Sequence, residues 1–364
     1  NHELRFGYDL VRHMMDHWQP EIGAGPRGRF NFNREMTSVL DGDNTQENAW
    51  ASFMLGLPSY MGKSLQWELM TLREWQHAFY IRDRWQITPK LTATLGVRYE
   101  MYPLVTRGSR DMETLDINSS VPCEPGSADQ CFEMTLGNDI KTSKKLFAPR
   151  IGLAYRISDN DVVRAGYGLT FSPLPFARPL RGFYPLTIAA DFNNPNAAWV
   201  PYTDLTEGIP TFLGPDAGPG AKIPLPQFVQ QRTMPLDFVK RGYIQSWNVV
   251  YERKLPADFV GSVGYVGTQT TNQLADHQVN YSPAGGGSAG RQYADRSSTN
   301  IMYWDGWLSK NYHSLQMTLN RRFTGGLFVK GAYTWSKAID MTNDERWAGL
   351  SLNDPALIGR NRVQ

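Results

Sequence analysis

The stretch Leu91-Thr92-Ala93-Thr94-Leu95-Gly96-Val97-Arg98-Tyr99-Glu100-Met101 decides the fold class. Its odd-numbered positions are apolar, and its even-numbered ones are Thr, Thr, Gly, Arg and Glu. Period two over this length makes a strand with two unlike faces. On a helix the same apolar positions would scatter around the whole circumference. Eleven residues are also about what a tilted strand needs to cross a bilayer.

The same design repeats on either side. Trp75–Ile87 reads as the partner strand, joined through Thr88-Pro89-Lys90, where proline presets the φ of a turn position. Ile151, Leu153, Tyr155 and Ile157 alternate with Arg150, Gly152, Ala154 and Arg156. After Ser158-Asp159-Asn160-Asp161 come Val163, Ala165, Tyr167, Leu169 and Phe171, alternating with Arg164, Gly166, Gly168 and Thr170. Trp247, Val249 and Tyr251 lead through Leu255-Pro256-Ala257-Asp258 to Phe259, Val263 and Tyr265. Leu315, Met317 and Leu319 lead through Thr324-Gly325-Gly326 to Leu327, Val329, Tyr333 and Trp335. Near the start, Leu4, Phe6, Tyr8 and Leu10 alternate with Glu3, Arg5, Gly7 and Asp9; Phe30 with Phe32 reads as a short return strand, and Leu65–Leu72 as another. At the strand length of a membrane barrel this amounts to roughly ten to fourteen strands.

Alternation alone does not separate lipid from water, because a sandwich strand also has one apolar face. Three features favour a membrane. The polar face carries Arg98, Glu100, Arg150, Arg156 and Arg164 beside many glycines, which suits a wet lumen. Trp75, Trp85, Trp247 and Trp335 fall near strand ends, where an aromatic girdle sits. Above all, short turns alternate with long polar loops at about Tyr102–Phe147, Ser172–Tyr243 and Thr268–Asn311. Loops of that length are uncommon in compact soluble domains, whereas outer-membrane barrels have short periplasmic turns and long outer loops.

Composition agrees. Of 364 residues only 41% are hydrophobic, yet 12% are aromatic, as expected if apolar residues are needed at alternate strand positions and at two interfaces. The 37 basic and 35 acidic residues nearly balance, without long like-charge runs, so nothing points to nucleic acid. No apolar stretch is long enough for a spanning helix, so a membrane crossing must be made by strands. The expected fold class is thus all-β: an incomplete antiparallel transmembrane β-barrel with long extracellular loops, covering residues 1–364. The chain opens at Asn1-His2-Glu3 without Met and stops at Arg362-Val363-Gln364 in polar sequence, and so reads as a fragment.

Several segments resemble TonB-dependent outer-membrane receptors. Phe79-Tyr80-Ile81-Arg82-Asp83-Arg84-Trp85, followed by Thr88-Pro89-Lys90-Leu91-Thr92 and Leu95-Gly96-Val97-Arg98-Tyr99-Glu100, is similar to their barrel signature. Ala148–Tyr155, Val163–Gly168, Tyr312–Gln316, Tyr333–Asp340 and Ala51–Pro58 resemble the Oar-like branch. The resemblance runs from about Asn1 to Asp340, mostly in strands and short turns; the long loops resemble nothing comparable. It implies a 22-stranded barrel with an N-terminal plug, importing a scarce large nutrient with energy from the TonB complex. This sequence carries neither a plug with its TonB box nor the final strand with a terminal aromatic, so transport would belong to the whole protein.

Candidate sites are few. Cys123 and Cys131 lie close together in a Pro-, Gly-, Ser- and Asp-rich stretch; they are two free thiols or, as such near pairs more often are, a small disulfide implying an oxidising compartment. Arg98, Glu100, Arg150 and Arg164 are candidates to line a lumen, or simply to pair across neighbouring strands. Tyr303, Trp304 and Trp307, with Trp199 and Tyr202, put aromatics in outer loops, where they could stack on a ligand, although mutual packing is favoured. His13 and His17 have a helical metal-ligand spacing but lie where a strand runs into a loop. Asp41, Asp43 and Asn44, and Asp340, Asn343, Asp344 and Glu345, are oxygen-rich without the spacing of a calcium loop, so loop calcium is the one cofactor they suggest. Gly285–Gly290 lacks the Lys-Ser/Thr of a phosphate loop and reads as a flexible tip. No catalytic constellation stands out, and no enzyme is expected. The leading reading is a TonB-dependent receptor of the outer membrane, in contact with its lipid, with the TonB complex and with an unnamed nutrient as partners. A passive porin-like or structural barrel is second, and a soluble secreted all-β module third.

Overall fold

The computed structural model describes residues 1–21, 23–39, 45–108, 111–137, 141–172, 184–193, 201–234, 238–283, 285–287 and 289–341. In chain order its strands are β1 His2–His17, β2 Arg29–Asn31, β3 Tyr60–Gln66, β4 Met70–Gln86, β5 Leu91–Met101, β6 Glu113–Pro122, β7 Gln130–Leu136, β8 Lys141–Thr142, β9 Leu146–Arg156, β10 Asp161–Phe171, β11 Thr187–Asn193, β12 Lys222–Leu225, β13 Gln231–Thr233, β14 Phe238–Val239, β15 Tyr243–Lys254, β16 Phe259–Gln278, β17 Ile301–Thr324 and β18 Leu327–Ile339; one helix, α1, spans Gln46–Met54.

Nine long strands form an antiparallel wall in the order β1-β4-β5-β9-β10-β15-β16-β17-β18, each beside the next one to cross. Among the described residues β1 and β18 are each paired along one edge only, apart from the short β13 added in parallel beside β17. Register carries the alternation of single strands across the whole wall. One row runs Leu95, Ile151, Tyr167, Trp247 on one face. The next runs Ala93, Leu153, Ala165, Val249, Tyr265, Leu315, Trp335 on the same face. The opposite face carries Arg82, Gly96, Arg150, Gly168, Ser246, Thr268 and Tyr312 in one row.

The apolar face is bare. Phe6 is 81% exposed, Phe147 56% and Trp335 70%, and Ile81, Leu95, Ile151, Leu153, Val249 and Met317 are exposed with them. So broad a patch belongs against lipid and not against water. From Tyr155, near the short turns, to Phe147, near the loops, is eight residues. At about 3.4 Å per residue and a tilt of about 40° they rise roughly 20 Å, close to the apolar band of an outer-membrane barrel.

Short turns close one end. Ile87 donates to the carbonyl of Leu91 across the proline turn at 3.0 Å, and the Thr88 hydroxyl accepts from the Leu91 amide at 2.9 Å. Gly325 and Gly326 both sit at positive φ, 60° and 80°, as a two-residue turn matched to strand twist requires.

The other end carries the hydrophobic core. One cluster joins Met61, Leu115, Phe132, Met134, Ile188 and Val229, which come from three separate connections. A second joins Leu72, from the polar face of β4, to Val105, Met112, Met234, Val239, Leu274 and Trp304. The connections therefore fold inward over the polar face. They carry their own sheets, β2-β3-β11, β6-β7-β12 and β8-β14.

Among the described residues the main sheet has ten strands with the short β13 counted, in line with the ten to fourteen read from the sequence, while Phe30 and Leu65 belong to β2 and β3 in a sheet of the loops. Three expectations change. Leu65–Leu72 is interrupted, with β3 ending at Gln66 and β4 starting at Met70. The span Thr268–Asn311 is half strand, since β16 and β17 stay paired out to Gln278 and Met302 beyond the apolar band. There both faces meet protein or water, so period two fades while the ladder continues. Finally, β1 continues through His13 to His17 as a strand, in which residues four apart stand about 13 Å apart.

Candidate functional site

Alternation on β1, β4 and β5 puts Asp9, Glu74 and Glu100 on the polar face near the loop end, as Asp9 pairs with Ala78 and Ala78 with Glu100. Arg98 sits between them. It donates to Asp9 Oδ2 at 2.5 Å and to Glu100 Oε1 at 3.0 Å. Glu74 accepts from Gln76 at 3.0 Å.

The fifth charge arrives from far along the chain. Arg241, just before β15, is 5% exposed, and its Nε donates to Thr142 Oγ1 at 2.8 Å. Its Nη2 donates to the carbonyls of Tyr102 and Pro103. Burial pulls its pKa down to about 10, opposed by the negative charge of Glu74 and by Tyr102, so the guanidinium stays charged at neutral pH. Burial, reinforced by the Glu100 carboxylate, pushes the Tyr102 phenol up to about 12. Among the described residues, Glu74 Oε1, Glu100 Oε2 and Arg241 Nη1 are buried without a protein hydrogen-bond partner. Such groups are held by water or by a ligand. The cluster thus offers fixed charge, two acceptors and a donor, the equipment of recognition.

The cover above it is pinned by two devices. Arg107 grips Glu113 with three hydrogen bonds of 2.6–3.0 Å, both side chains almost fully buried. Cys123 and Cys131 form a disulfide across the β6–β7 hairpin.

Of the residues singled out in the sequence, Arg98 and Glu100 come together in this cluster. Arg150 and Arg164 lie on the same face but away from it; Arg164 is 3.8 Å from Glu252. Trp304 is buried at 1% exposure in the second core cluster, Trp307 donates to the Ala275 carbonyl at 2.8 Å, and Tyr303 donates to the Leu115 carbonyl at 3.3 Å. A ligand arriving from outside would not meet Trp304, because the polar extension of β17 turns it into the core. Tyr202 is exposed beside Phe192, and Trp199 lies outside the described residues. Asp41, Asp43, Asn44, Asn343, Asp344, Glu345 and Ser288 also lie outside them, while Asp340 pairs with Lys310 at 2.9 Å. Among the described residues no three of His, Cys, Asp and Glu gather into a metal site. Sequence reading missed Glu74, Arg107, Glu113 and Arg241; only Asp9 had a signal, as a polar member of the first alternating strand.

The family described as "Outer membrane beta barrel domain" matches residues 1–362. The chain belongs to that family. Its place is the outer membrane, which it crosses by strands; no described helix is long and apolar enough to span one. None of the curated proteins matches this outer-membrane barrel. Among solved structures it is similar to the ferric-catecholate import receptor Fiu from E. coli K12, at 13% identity and a TM-score of 0.39, over 93% of this chain and 35% of that one. The FrpB iron transporter from Neisseria meningitidis gives 12%, 0.40, 97% and 36%. A mutant of the ferric enterobactin receptor PfeA from Pseudomonas aeruginosa gives 10%, 0.41, 93% and 32%. The chain spans about a third of the length of these three structures.

Proposed function

We propose that this chain is barrel wall and loop cover from a TonB-dependent receptor, which takes up a large, scarce nutrient by capture in the outer loops and energised passage along the polar face. It works by binding and passage, without covalent chemistry. The observation that carries the reading is the inward-folded cover: Leu72, on the polar face, is fully buried under residues from the connections. A passive channel needs an open mouth, whereas a receptor needs a built one that opens on demand. The strand and turn motifs of Phe79–Glu100 support the same class. The TonB complex, acting through a plug, would be the partner that supplies work.

The test is uptake by cells carrying the full-length protein, fed culture extracts under nutrient limitation. Uptake that disappears when TonB is deleted or the proton gradient is collapsed supports the reading. Uptake untouched by either, with steady conductance in planar bilayers, supports the porin-like barrel instead.

A further inference from the structure

On the polar face, below the cluster of Arg98, lies a cleft of ≈ 550 Å³ whose lining includes Arg5, Arg82, Arg98 and Arg150 and no acidic residue. Two of these arginines are neutralised at contact distance: Arg5 by Glu3 at 2.6 Å, and Arg98 by Asp9 and Glu100. Arg82 and Arg150 are held by no salt bridge among the described residues, and Arg82 Nε is buried without a hydrogen-bond partner. Register places Gly96 directly between them, as Arg82 pairs with Gly96 and Gly96 with Arg150. The two arginines are thus about 10 Å apart at Cα, two inter-strand spacings, within joint reach of a small group seated over the glycine.

The glycines beneath that seat are not required by the fold. Neither Gly96 nor Gly152 has positive φ. A Cβ on Gly96 would meet the Ile81 carbonyl and the Arg82 side chain at 3.4–3.6 Å, and one on Gly152 would meet Thr94 at 3.7 Å, both ordinary contacts. What glycine supplies here is clearance above the sheet. Gly7, by contrast, is covered by the Tyr80 ring, which a Cβ would approach to 2.6 Å. A floor of glycine, flanked by two guanidinium groups outside any contact salt bridge among the described residues, matches an oxyanion, which arginine binds in forked pairs of hydrogen bonds.

We infer that the Arg82–Gly96–Arg150 cleft is a binding subsite for carboxylate- or phosphate-bearing small solutes on the lumen wall. The inference rests on the proposed passage along this face and adds the chemical class of what passes.

The experiment titrates full-length protein in detergent with citrate and with inorganic phosphate, followed by calorimetry. Heat-dependent gel migration confirms that each variant has folded. Both anions bind, and R82Q/R150Q weakens citrate at least about tenfold, the loss expected for charged hydrogen bonds. G96L keeps both charges but fills the seat, and weakens citrate similarly. R156Q, which removes an arginine of the same face outside the cleft, leaves affinity unchanged. Should the double variant fail to fold, R150Q alone and G96L carry the test. The inference is overturned if folded protein binds neither anion, if R156Q acts as strongly as R82Q/R150Q, or if an acidic peptide binds where both small anions fail. Binding needs neither TonB nor energy, so a failed titration leaves TonB-dependent uptake untouched, and TonB-independent uptake leaves the subsite standing.

Discussion

The wall and its cover solve burial in opposite senses. On the wall, bulky apolar side chains such as Phe6, Ile151 and Trp335 point outward and remain exposed, while arginines and glycines line the inner face. In the cover, Phe132, Leu115, Met134 and Trp304 are fully buried, as in a water-soluble domain. One chain with one amino-acid composition obeys two solvents, and the change occurs within single strands: β17 is lipid-facing at Leu319 and Met317 and core-forming at Trp304. The rule for which residues are inside is set by what lies outside.

Substitutions can separate the two regimes. Trp304→Ala should have the largest effect, about 3–5 kcal/mol of lost packing in the cover. Rapid protease cleavage of the connections, with the heat-dependent gel shift of the wall intact, is the expected result; simultaneous loss of both would merge the two regions into one unit. Ile151→Arg, midway along the outer face, should destabilise the wall by about 2–4 kcal/mol in urea titrations from lipid vesicles, whereas Gln316→Lys on the inner face should stay within about 0.5 kcal/mol. Equal effects at the two positions would break the assignment of faces.

Smaller effects sharpen the cover alone. Cys123→Ser with Cys131→Ser opens a short loop and should weaken the cover by about 2 kcal/mol, read as faster hydrogen exchange in β6 and β7. Alkaline pH should act there as well. Burial pushes the Tyr184 phenol up to about 12 from its ordinary 10. The folded state therefore favours the neutral phenol, and its contribution is complete below about pH 10 and lost as the pH rises to about 12. Protease sensitivity of the connections should rise over that window, and less in Tyr184→Phe.

The sequence displays the wall more fully than the cover for a physical reason. Lipid on one side and water on the other impose period two on each strand separately, so Leu91–Met101 announces itself without its neighbours. The hairpin turns are equally local. The cover is built by contacts between remote segments: β3 pairs with β11 more than a hundred residues away, and Arg241 reaches the Tyr102 carbonyl. Nothing beside Arg241 in the chain marks it as buried. Arg98 and Glu100 were legible because a strand displays its own inner face; Glu74, on β4, needed its neighbours. The close cysteine pair was legible because its partners are eight residues apart.

The inner-face arginines also bear on how the wall comes together. Because side chains alternate strictly, a slip of one residue in the pairing of β9 would turn Arg150 and Arg156 toward lipid and Ile151 and Leu153 toward water. Each misplaced arginine would cost about 2–4 kcal/mol near the membrane centre, less toward its edges. A mispaired strand is thus rejected by the membrane itself, before any ligand has been met. The inner-face charges thereby proofread the assembly of the wall.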